Sequence, residues 1–346
     1  MNQKYDIISC ASFGSSGSSV VTDYLSEYDG IKDLGSYEFR FLQDYMGIST
    51  LEDALVRTPH RLNSDIAIQN YIRYVDRQCG NFIRSRYNSF FNNRWKEISM
   101  RYIKELVDIS WPGYWEEYQI TSPKLISAFR YQVLPRIRRA LSLKKKYIAH
   151  YLPTRPMYFS FPSEEKFLEC TRRYVRNLCA ELDPDHSCRY IMFDQLMPPA
   201  DIGRYERYLD SVKTIVVDRD PRDYFLENVV RWGEKWVPAD IDDFIRLYRM
   251  QREQSAMFED SENVRRIRFE DTIFHYDSFE KQMQDFLALD PADHRRPLER
   301  FDPSRSVRNT RLWLKRNADI DLIHKIEDSL SDFIYDFDSN SESLKF

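Results

Sequence analysis

The 346-residue sequence lacks any apolar run of the ~18 residues that a membrane-spanning helix needs. Its longest uncharged segment, residues 7–22, contains six serines. The five cysteines follow neither a metal-binding spacing nor an even disulfide framework, and the first residues lack the apolar core of a secretory signal. None of the six histidines has a spacing that suggests metal ligation. We therefore expect a reduced, cytoplasmic protein without a bound metal.

An excess of charge of one sign is also missing, since 51 basic residues stand against 55 acidic ones. This balance excludes a general attraction to nucleic acid. One stretch departs from it: Lys124–Arg155 carries nine basic residues and no acidic one. Such a stretch is either a solvated helix face or a surface for an anionic partner, an acidic glycan or anionic lipid headgroups. The second interpretation would place the protein peripherally at the inner face of a membrane.

What the sequence does have is a set of apolar strand segments separated by long stretches with helical spacing. This pattern predicts an α/β fold, a parallel sheet flanked by helices, with a large helical insertion at roughly residues 50–150 after the first α/β unit. We expect residues 1–346 to form a single domain. Two proline-containing segments, 111–113 and 152–154, are predicted as loops. The strand segments are 5–11, 190–193, 212–217 and 264–269.

A loop of small residues follows the first strand and precedes a helix, which predicts a P-loop-like sheet. Backbone N–H groups in such a loop converge on an anion, and the dipole of the helix adds partial positive charge. The alternative is a turn that caps an ordinary helix. The loop lacks the Gly-Lys-Ser/Thr ending of nucleotide triphosphatases, which disfavours ATP chemistry and leaves a P-loop kinase as a lesser alternative. The candidate anion-binding residues are Gly14, Ser15, Ser16, Gly17, Ser18 and Ser19.

The segment Val212–Asp223 is the second motif. Its apolar strand brings Arg219 to the carboxyl edge of the sheet, where open α/β folds bind ligands, and a guanidinium there can bind a phosphate bidentately. Asp220 is placed to cap the next helix and Pro221 suits its first turn. The alternative is a surface lattice of Arg–Asp pairs.

Together these motifs resemble PAPS-dependent sulfotransferases, in particular bacterial polysaccharide-type members. Ser16–Ser19 match the family's 5′-phosphosulfate loop, although Ser15 stands where the family usually has Lys or Arg. Arg219 matches the arginine that holds the cofactor's 3′-phosphate. Glu227 occupies the usual position of a second phosphate-binding serine, so we expect Glu227 to point elsewhere or pair with an arginine, and Asn228 to substitute as donor.

Three further segments are similar to the same family. Gly35–Leu42 resembles the segment that carries the general base, which makes Glu38 the candidate base. Arg40 stands in place of a histidine and could supply the cation missing at position 15; the alternative is a plain Glu38–Arg40 salt bridge. Val264–Asp271 resembles the late strand that ends in an acidic pair. Phe301–Trp313 resembles the basic loop that closes over the nucleotide, with Arg305, Arg308 and Arg311 as candidates.

The resemblance implies sulfuryl transfer from PAPS, as donor substrate and without a metal, to a carbohydrate hydroxyl in bacterial polysaccharide or glycolipid synthesis. The departures at Ser15 and Glu227 leave a second possibility, a catalytically inactive protein of the same fold that binds a glycan or a nucleotide. Asp194 and Gln195 follow another strand at the same edge, where they either contact acceptor hydroxyls or form a turn.

Overall fold

A computed structural model describes residues 4–35, 37–80, 86–116, 123–143, 146–315 and 319–337. Its centre is a five-stranded sheet in the order β2-β5-β1-β6-β7, in which every neighbouring pair is parallel. A separate antiparallel pair is formed by β3 and β4. The strands are β1 Asp6–Ser12, β2 Ile31–Lys32, β3 Ile109–Gly113, β4 Arg155–Phe159, β5 Tyr190–Asp194, β6 Ser211–Asp218 and β7 Val264–Arg268.

Helices flank this sheet and fill the connection between β2 and β5, which confirms the predicted α/β fold with its large helical insertion. π-Helical turns extend several helices, at Asp53–Arg57, Ala128–Val133 and Leu226–Trp232. The α-helices of the described residues are α1 Ser18–Leu25, α2 Ile48–Glu52, α3 Arg61–Gln78, α4 Tyr87–Phe90, α5 Trp95–Leu106, α6 Lys124–Ser127, α7 Leu134–Leu141, α8 Glu164–Leu182, α9 Ile202–Glu206, α10 Pro221–Phe225, α11 Ile241–Ala256, α12 Asp271–Phe274, α13 Tyr276–Leu287, α14 Pro303–Ser306, α15 Leu312–Lys315 and α16 Ile320–Ser329.

The strand order decides where the two anion-binding motifs meet. β1 lies at the centre of the sheet, and its last residues pair with the last residues of β6, Ser12 opposite Val217. Parallel strands end at the same edge, so the loop after β1 and the turn after β6 emerge side by side. The strand segments predicted from the sequence are thereby confirmed, each to within a residue or two of its observed bounds.

The insertion contains one element that the sequence analysis missed. Residues 111–113, predicted as a loop, form part of β3 and pair with β4, with Pro112 opposite Pro156. Proline lacks an N–H donor, so it is tolerated in a strand only on the open side of a ladder. A two-stranded pair has an open side on both strands, which is why proline did not signal a break here. The loop at 152–154 is confirmed.

Aromatic side chains join the insertion to one face of the sheet. Trp95 is fully buried and its indole N–H donates to the Val75 carbonyl at 3.1 Å. Phe193 of β5 packs edge-on against Phe39 and Phe41, which continue into the same core. Burial of these rings stabilises the packing of the insertion on the sheet. Within the described residues, no helix has both the length and the apolar character to span a bilayer.

Candidate functional site

The loop between β1 and α1 turns on three residues with positive φ: Gly14 at 85°, Ser15 at 50° and Gly17 at 104°. A Cβ on Gly17 would lie 2.5 Å from Phe269 Cδ2, and one on Gly14 would lie 2.5 Å from Trp236 Cη2. Both glycines are therefore required by conformation and by close contact with an aromatic ring. The loop therefore lies between the side chains of Trp236 and Phe269, which leave no room for a side chain at positions 14 and 17.

The backbone N–H groups of this loop are free to bind an anion. Among the residues that the structure describes, the amides of residues 15–19 have no hydrogen-bond acceptor. The Ser16 hydroxyl donates instead to the Val217 carbonyl at 2.6 Å and accepts from the Phe13 N–H. Unpaired amides at the start of a helix, with the helix dipole behind them, bind phosphate and sulfate groups.

Gln195 fixes the hydroxyl groups at both ends of the loop. Its side-chain Nε2 donates to Ser12 Oγ at 2.6 Å and to Ser18 Oγ at 3.1 Å. Its backbone has φ of 58°, with the N–H donating to the Cys10 carbonyl and its carbonyl accepting from Gln43. Gln195 is buried, so these bonds hold the two hydroxyl groups from inside the protein. It adopts a turn conformation, one of the two alternatives that the sequence left open.

Asp194 lies under the candidate base. It forms an isolated parallel bridge with Glu38, and its carbonyl accepts from the Phe39 N–H at 2.8 Å. The pKa of Asp194 is raised to about 7, mainly by burial and also by the negative charge of Glu38, while a hydrogen bond from Ser18 opposes the shift. This carboxyl group therefore changes charge near neutral pH at a point between the loop and Glu38.

Glu38 and Arg40 form an ion pair, but they do not belong to a strand, since only Glu38 forms a β-bridge, with Asp194. Arg40 Nη1 is 3.7 Å from Glu38 Oε2, and Arg40 Nε donates to Asp44 at 2.9 Å. Both side chains are about half exposed. The Arg40 guanidinium is consequently shared between two carboxylates, while the Glu38 carboxylate stays accessible to solvent. Ser36, in the same segment, lies outside the described residues.

A cavity of about 580 Å³ joins the loop to this ion pair. It places Gly14 and Ser15 in one lining with Glu38 and Arg40, four of the residues selected from the sequence. Arg40 is the one cationic side chain of this lining among the described residues. The lining residues are Ser12, Phe13, Gly14, Ser15, Glu38, Arg40, Gln43, Gln195, Pro198, Pro199, Ala200, Glu234, Trp236, Gln251 and Gln254.

Arg219 is beside the loop but does not line this cavity. It is 4% exposed, its guanidinium lies 4.7 Å above the Phe269 ring, and Nη2 donates to the Asn309 carbonyl. Its Nε is buried and has no partner in the described part of the chain. Phe269 is also the ring that contacts Gly17. Both motifs therefore contact the same aromatic side chain, that of Phe269.

A buried arginine, Arg252, connects the same two strand ends. Its guanidinium pairs with Asp218 at 2.7 Å and stacks on the rings of Phe13 and Tyr248, 4.0 and 3.5 Å from their centroids. Tyr224 adds a hydrogen bond from its hydroxyl to the Phe13 carbonyl at 2.9 Å. These contacts fix the position of the loop relative to the turn that carries Arg219.

The turn after β6 has the local structure that the sequence predicts. The Asp220 carboxylate accepts from the Arg222 N–H as the N-cap of α10, and Pro221 occupies the first turn. The Asp220 N–H donates to Glu270 at 2.8 Å, so Glu270, first of the late acidic pair, anchors this turn from inside the protein. Burial raises the pKa of Glu270 to about 8, with Arg268 opposing the shift.

The positions that depart from the family pattern are also resolved. Glu227 accepts from Arg231 at 2.6 Å and from the Trp232 indole at 2.9 Å, which confirms its predicted pairing with an arginine. Asn228 is fully buried, its Nδ2 donates to the Tyr224 carbonyl, and its Oδ1 has no partner among the described residues. The Tyr224 carbonyl thus accepts one of the two amide hydrogens of Asn228.

The candidate arginines of the C-terminal loop occupy different environments. Arg308 is exposed. The Arg311 N–H donates to Asp223 at 2.9 Å, and its guanidinium donates to the Phe337 carbonyl. Arg305 pairs with the acidic residue three positions before it. The loop reaches the central site through its backbone, since the carbonyl of Asn309 contacts Arg219.

Several residues of the site carried no signal in the sequence. Phe269 and Trp236, which contact the two loop glycines, are unremarkable aromatics in a chain with 23 tyrosines, 22 phenylalanines and six tryptophans. Phe269 directly follows β7, so the strand order β1-β6-β7 would have placed it near the loop. The cavity glutamines Gln43, in a turn before α2, and Gln251 and Gln254, in α11, lie far apart in the chain, and no local pattern connects them.

No family model and no curated protein sequence matches the chain. Its structure is similar to the sulfotransferase domain from the Synechococcus PCC 7002 olefin synthase, with 12% identity, a TM-score of 0.42 and coverage of 97% of this chain and 98% of that one. It is also similar to the sulfotransferase domain from the curacin biosynthetic pathway, with 12% identity, a TM-score of 0.39 and coverage of 95% of this chain and 98% of that one. A third similar structure is retinol dehydratase in complex with androsterone and inactive cofactor PAP, with 15% identity, a TM-score of 0.36 and coverage of 96% of this chain and 81% of that one. The chain is thus similar to solved sulfotransferases, and at these scores the similarity decides neither activity nor substrate.

Proposed function

We propose that the protein is a PAPS-dependent sulfotransferase. The observation that carries this proposal is the loop itself: its amides at residues 15–19 have no acceptor within the described chain, and it lines the same cavity as the exposed carboxylate of Glu38. Loop amides of this kind bind an oxyanion, and a carboxylate opposite them can accept a proton. An anion to be attacked and a base to activate the attacking group are the two requirements of sulfuryl transfer.

The proposed reaction is an in-line displacement. The acceptor oxygen forms a bond to sulfur, the bond between sulfur and the bridging oxygen breaks, and the acceptor proton goes to Glu38. Residues 14–19 hold the phosphosulfate and Arg219 the 3′-phosphate, with Asn228, Arg308 and Arg311 as further cofactor contacts. No step requires a metal, because preorganised donors can stabilise the charge that develops on the leaving phosphate.

The lining of the cavity supports a carbohydrate acceptor. Four glutamines face it, at positions 43, 195, 251 and 254, together with the half-exposed indole of Trp236. Amide side chains donate and accept hydrogen bonds, as a sugar with many hydroxyls requires, and an indole offers an apolar face for a sugar ring. We accordingly propose a role in bacterial polysaccharide or glycolipid synthesis, in the cytoplasm, for one domain that comprises the whole chain.

The donor assignment is tested by isothermal titration of the unmodified protein with PAP and with ATP plus Mg²⁺. We expect PAP to bind at least about tenfold more tightly than ATP, because PAP offers one phosphate to the loop and one to Arg219. Tighter binding of ATP would replace the sulfotransferase with a P-loop kinase. Absence of binding for both nucleotides would remove the proposal.

The Ser15→Lys variant supplies a cation where the family has one. Ser15 is exposed and lines the cavity, so a lysine there can reach the bound phosphate without repacking the core. A charge-assisted hydrogen bond contributes roughly 1.5–3 kcal/mol, so we expect PAP affinity to rise about tenfold or more. Ala292→Lys, at an exposed position outside the cavity, is the matched control for added charge alone.

A second candidate function is favoured by two observations: Ser15 leaves the loop without its cation, and the Asn309 carbonyl and Phe269 cover Arg219. Both features fit a protein of this fold that binds a nucleotide or glycan without transfer. The distinguishing measurement is turnover of radiolabelled PAPS with a panel of mono- and oligosaccharides. Tight PAP binding without transfer to any of them would favour this inactive form.

Nucleotide binding should depend on pH through Asp194. Its raised pKa, about 7, means that it gains negative charge beside the loop as pH rises through neutrality. The charge weakens anion binding, and Asp194→Asn removes it. The affinity of Asp194→Asn for PAP relative to that of the parent should therefore rise from about one near pH 6 to about fivefold near pH 8.

Because both proteins bind the same ligand, ionisation of PAP cancels in this ratio. The stability effect has the same origin: the folded state holds a proton on Asp194 that the unfolded state, with the ordinary pKa of 3.8, has lost. The stability contribution of Asp194 consequently declines as pH rises from about 4 to about 7. An affinity ratio that stays constant over the range would contradict the placement of a titrating Asp194 beside the ligand.

A further inference from the structure

The basic stretch of the insertion forms a continuous helical segment at 124–141, made of α6, the π-helical turn 128–133 and α7. One side of this segment is fixed to the protein. Ser127, Tyr131 and Pro135, spaced four residues apart, are buried, and Tyr131 packs against Met157 of β4. The opposite side of the helix therefore faces away from the body of the protein.

That outward side is apolar. Of the 22 exposed large hydrophobic residues among those that the structure describes, nine lie between positions 125 and 148. Leu125 is 87% exposed and Leu141 is 81% exposed, at opposite ends of the segment. A soluble protein rarely exposes so contiguous an apolar surface unless the surface binds something. The nine residues are Leu125, Ile126, Phe129, Val133, Ile137, Leu141, Leu143, Tyr147 and Ile148.

Cations border this apolar face, and the segment that carries it contains no acidic residue. The sequence has no Asp or Glu between Lys124 and Arg155. The basic residues beside the apolar face are exposed to solvent, which makes the segment a basic amphipathic helix. They are Lys124, Arg130, Arg136, Arg138, Arg139 and Lys146; Lys144 and Lys145 lie outside the described residues.

We propose that this face, formed by residues 124–143 and 146–148, docks on an anionic lipid bilayer. The apolar side chains would enter the boundary between headgroups and acyl chains, and the arginines would extend their charged ends to the lipid phosphates. The helix would lie in the plane of the membrane surface, with the buried side of Tyr131 still on β4. This inference goes beyond the proposed enzymatic function, because it assigns a partner to a surface outside the cavity.

Charge and apolar exposure together select the lipid surface over the other anionic partners. A second copy of the chain would bring two basic faces together without an acidic residue to pair them, which is unfavourable. An acidic glycan would satisfy the cations but leave the leucines and Phe129 in water. A bilayer with anionic headgroups satisfies both sets of side chains at once.

The test is sedimentation of the full chain with vesicles of phosphatidylcholine, with and without roughly a third of phosphatidylglycerol. We expect binding to the anionic vesicles at least about tenfold tighter than to neutral ones, and weaker at high salt. Phe129→Ser with Leu141→Ser, and separately Arg136→Glu with Arg139→Glu, should each weaken this binding about tenfold or more. All four residues are exposed, so the folded core does not depend on them.

The matched control is Met257→Ser with Ile320→Ser, which removes two exposed apolar side chains from other surfaces. This variant should bind vesicles like the parent. Equal binding to neutral and anionic vesicles, or binding that the serine variants leave intact, overturns the proposal. So does sedimentation equilibrium in which the parent dimerises and Phe129→Ser with Leu141→Ser is monomeric, because the face would then belong to a second copy. Binding to heparin that the serine variants retain, without vesicle binding, would assign the face to an acidic glycan and likewise overturn it.

Discussion

Replacing Glu38 with glutamine is expected to lower the turnover number about 100- to 10,000-fold, the range that a general base contributes. Glutamine keeps the size of the side chain and its hydrogen bonding, but it cannot accept the acceptor's proton. The affinity for PAP should change by less than about threefold, because the proposed contact of Glu38 is with the acceptor and not with the nucleotide. The ion pair with Arg40 that the variant loses is exposed and weak. The measurement is transfer from radiolabelled PAPS to a carbohydrate that the parent sulfates, beside a PAP titration.

The matched control for Glu38 is Glu234→Gln. Glu234 lines the same cavity and accepts a hydrogen bond from the Trp236 indole at 3.0 Å, so it tests the loss of a cavity carboxylate without loss of the base. We expect its turnover to stay within about fivefold of the parent. If Glu38→Gln retains parental turnover while Asp194→Asn loses it, the proton acceptor is the buried carboxyl group beneath Glu38.

The elements around the site could be predicted because short-range physics fixes them. Apolar runs predicted the central strands, and the Asp220 cap with Pro221 predicted the start of α10. The repulsion between a carboxylate and a phosphate predicted that Glu227 would point elsewhere or pair with an arginine, which the structure shows to be Arg231. Each of these depends on residues a few positions apart. The resemblance then supplied the order of the two motifs, which the strand order converts into proximity.

The parts that could not be predicted depend on contacts between distant segments. Phe269, which directly follows β7, contacts Gly17 in the loop after β1. Gln195 donates hydrogen bonds to Ser12 and Ser18 from more than 170 positions away. The strand at 109–113 was not predicted, because its partner, 155–159, lies beyond the basic helix and its one proline, Pro112, is typical of a break in local structure. Pattern analysis identifies such residues only once the neighbouring strands are known.

The assignment of Arg219 to the 3′-phosphate makes the second large prediction. Arg219→Met keeps a buried unbranched stem on Phe269 but removes the charge and the hydrogen-bond donors. We expect it to weaken binding of PAP about 10- to 100-fold, the loss of a charge-assisted bidentate pair. Binding of AMP, which has the 5′-phosphate alone, should change by less than about threefold. Titration calorimetry of both ligands gives the comparison, and thermal unfolding of the variant verifies that it folds.

This prediction carries a structural condition. Arg219 is 4% exposed and its guanidinium donates to the Asn309 carbonyl, so a phosphate can bind it only where the loop at 303–311 moves away. The matched control is Arg246→Met, at an exposed position of α11, whose neighbour Tyr248 donates to the Arg219 carbonyl. PAP and AMP should bind it as they bind the parent. If Arg219→Met weakens the binding of both ligands equally, Arg219 acts through the fold of the loop. If it weakens the binding of neither, the 3′-phosphate binds elsewhere, because the loss of a guanidinium contact would lower the affinity for PAP, the ligand that carries that phosphate.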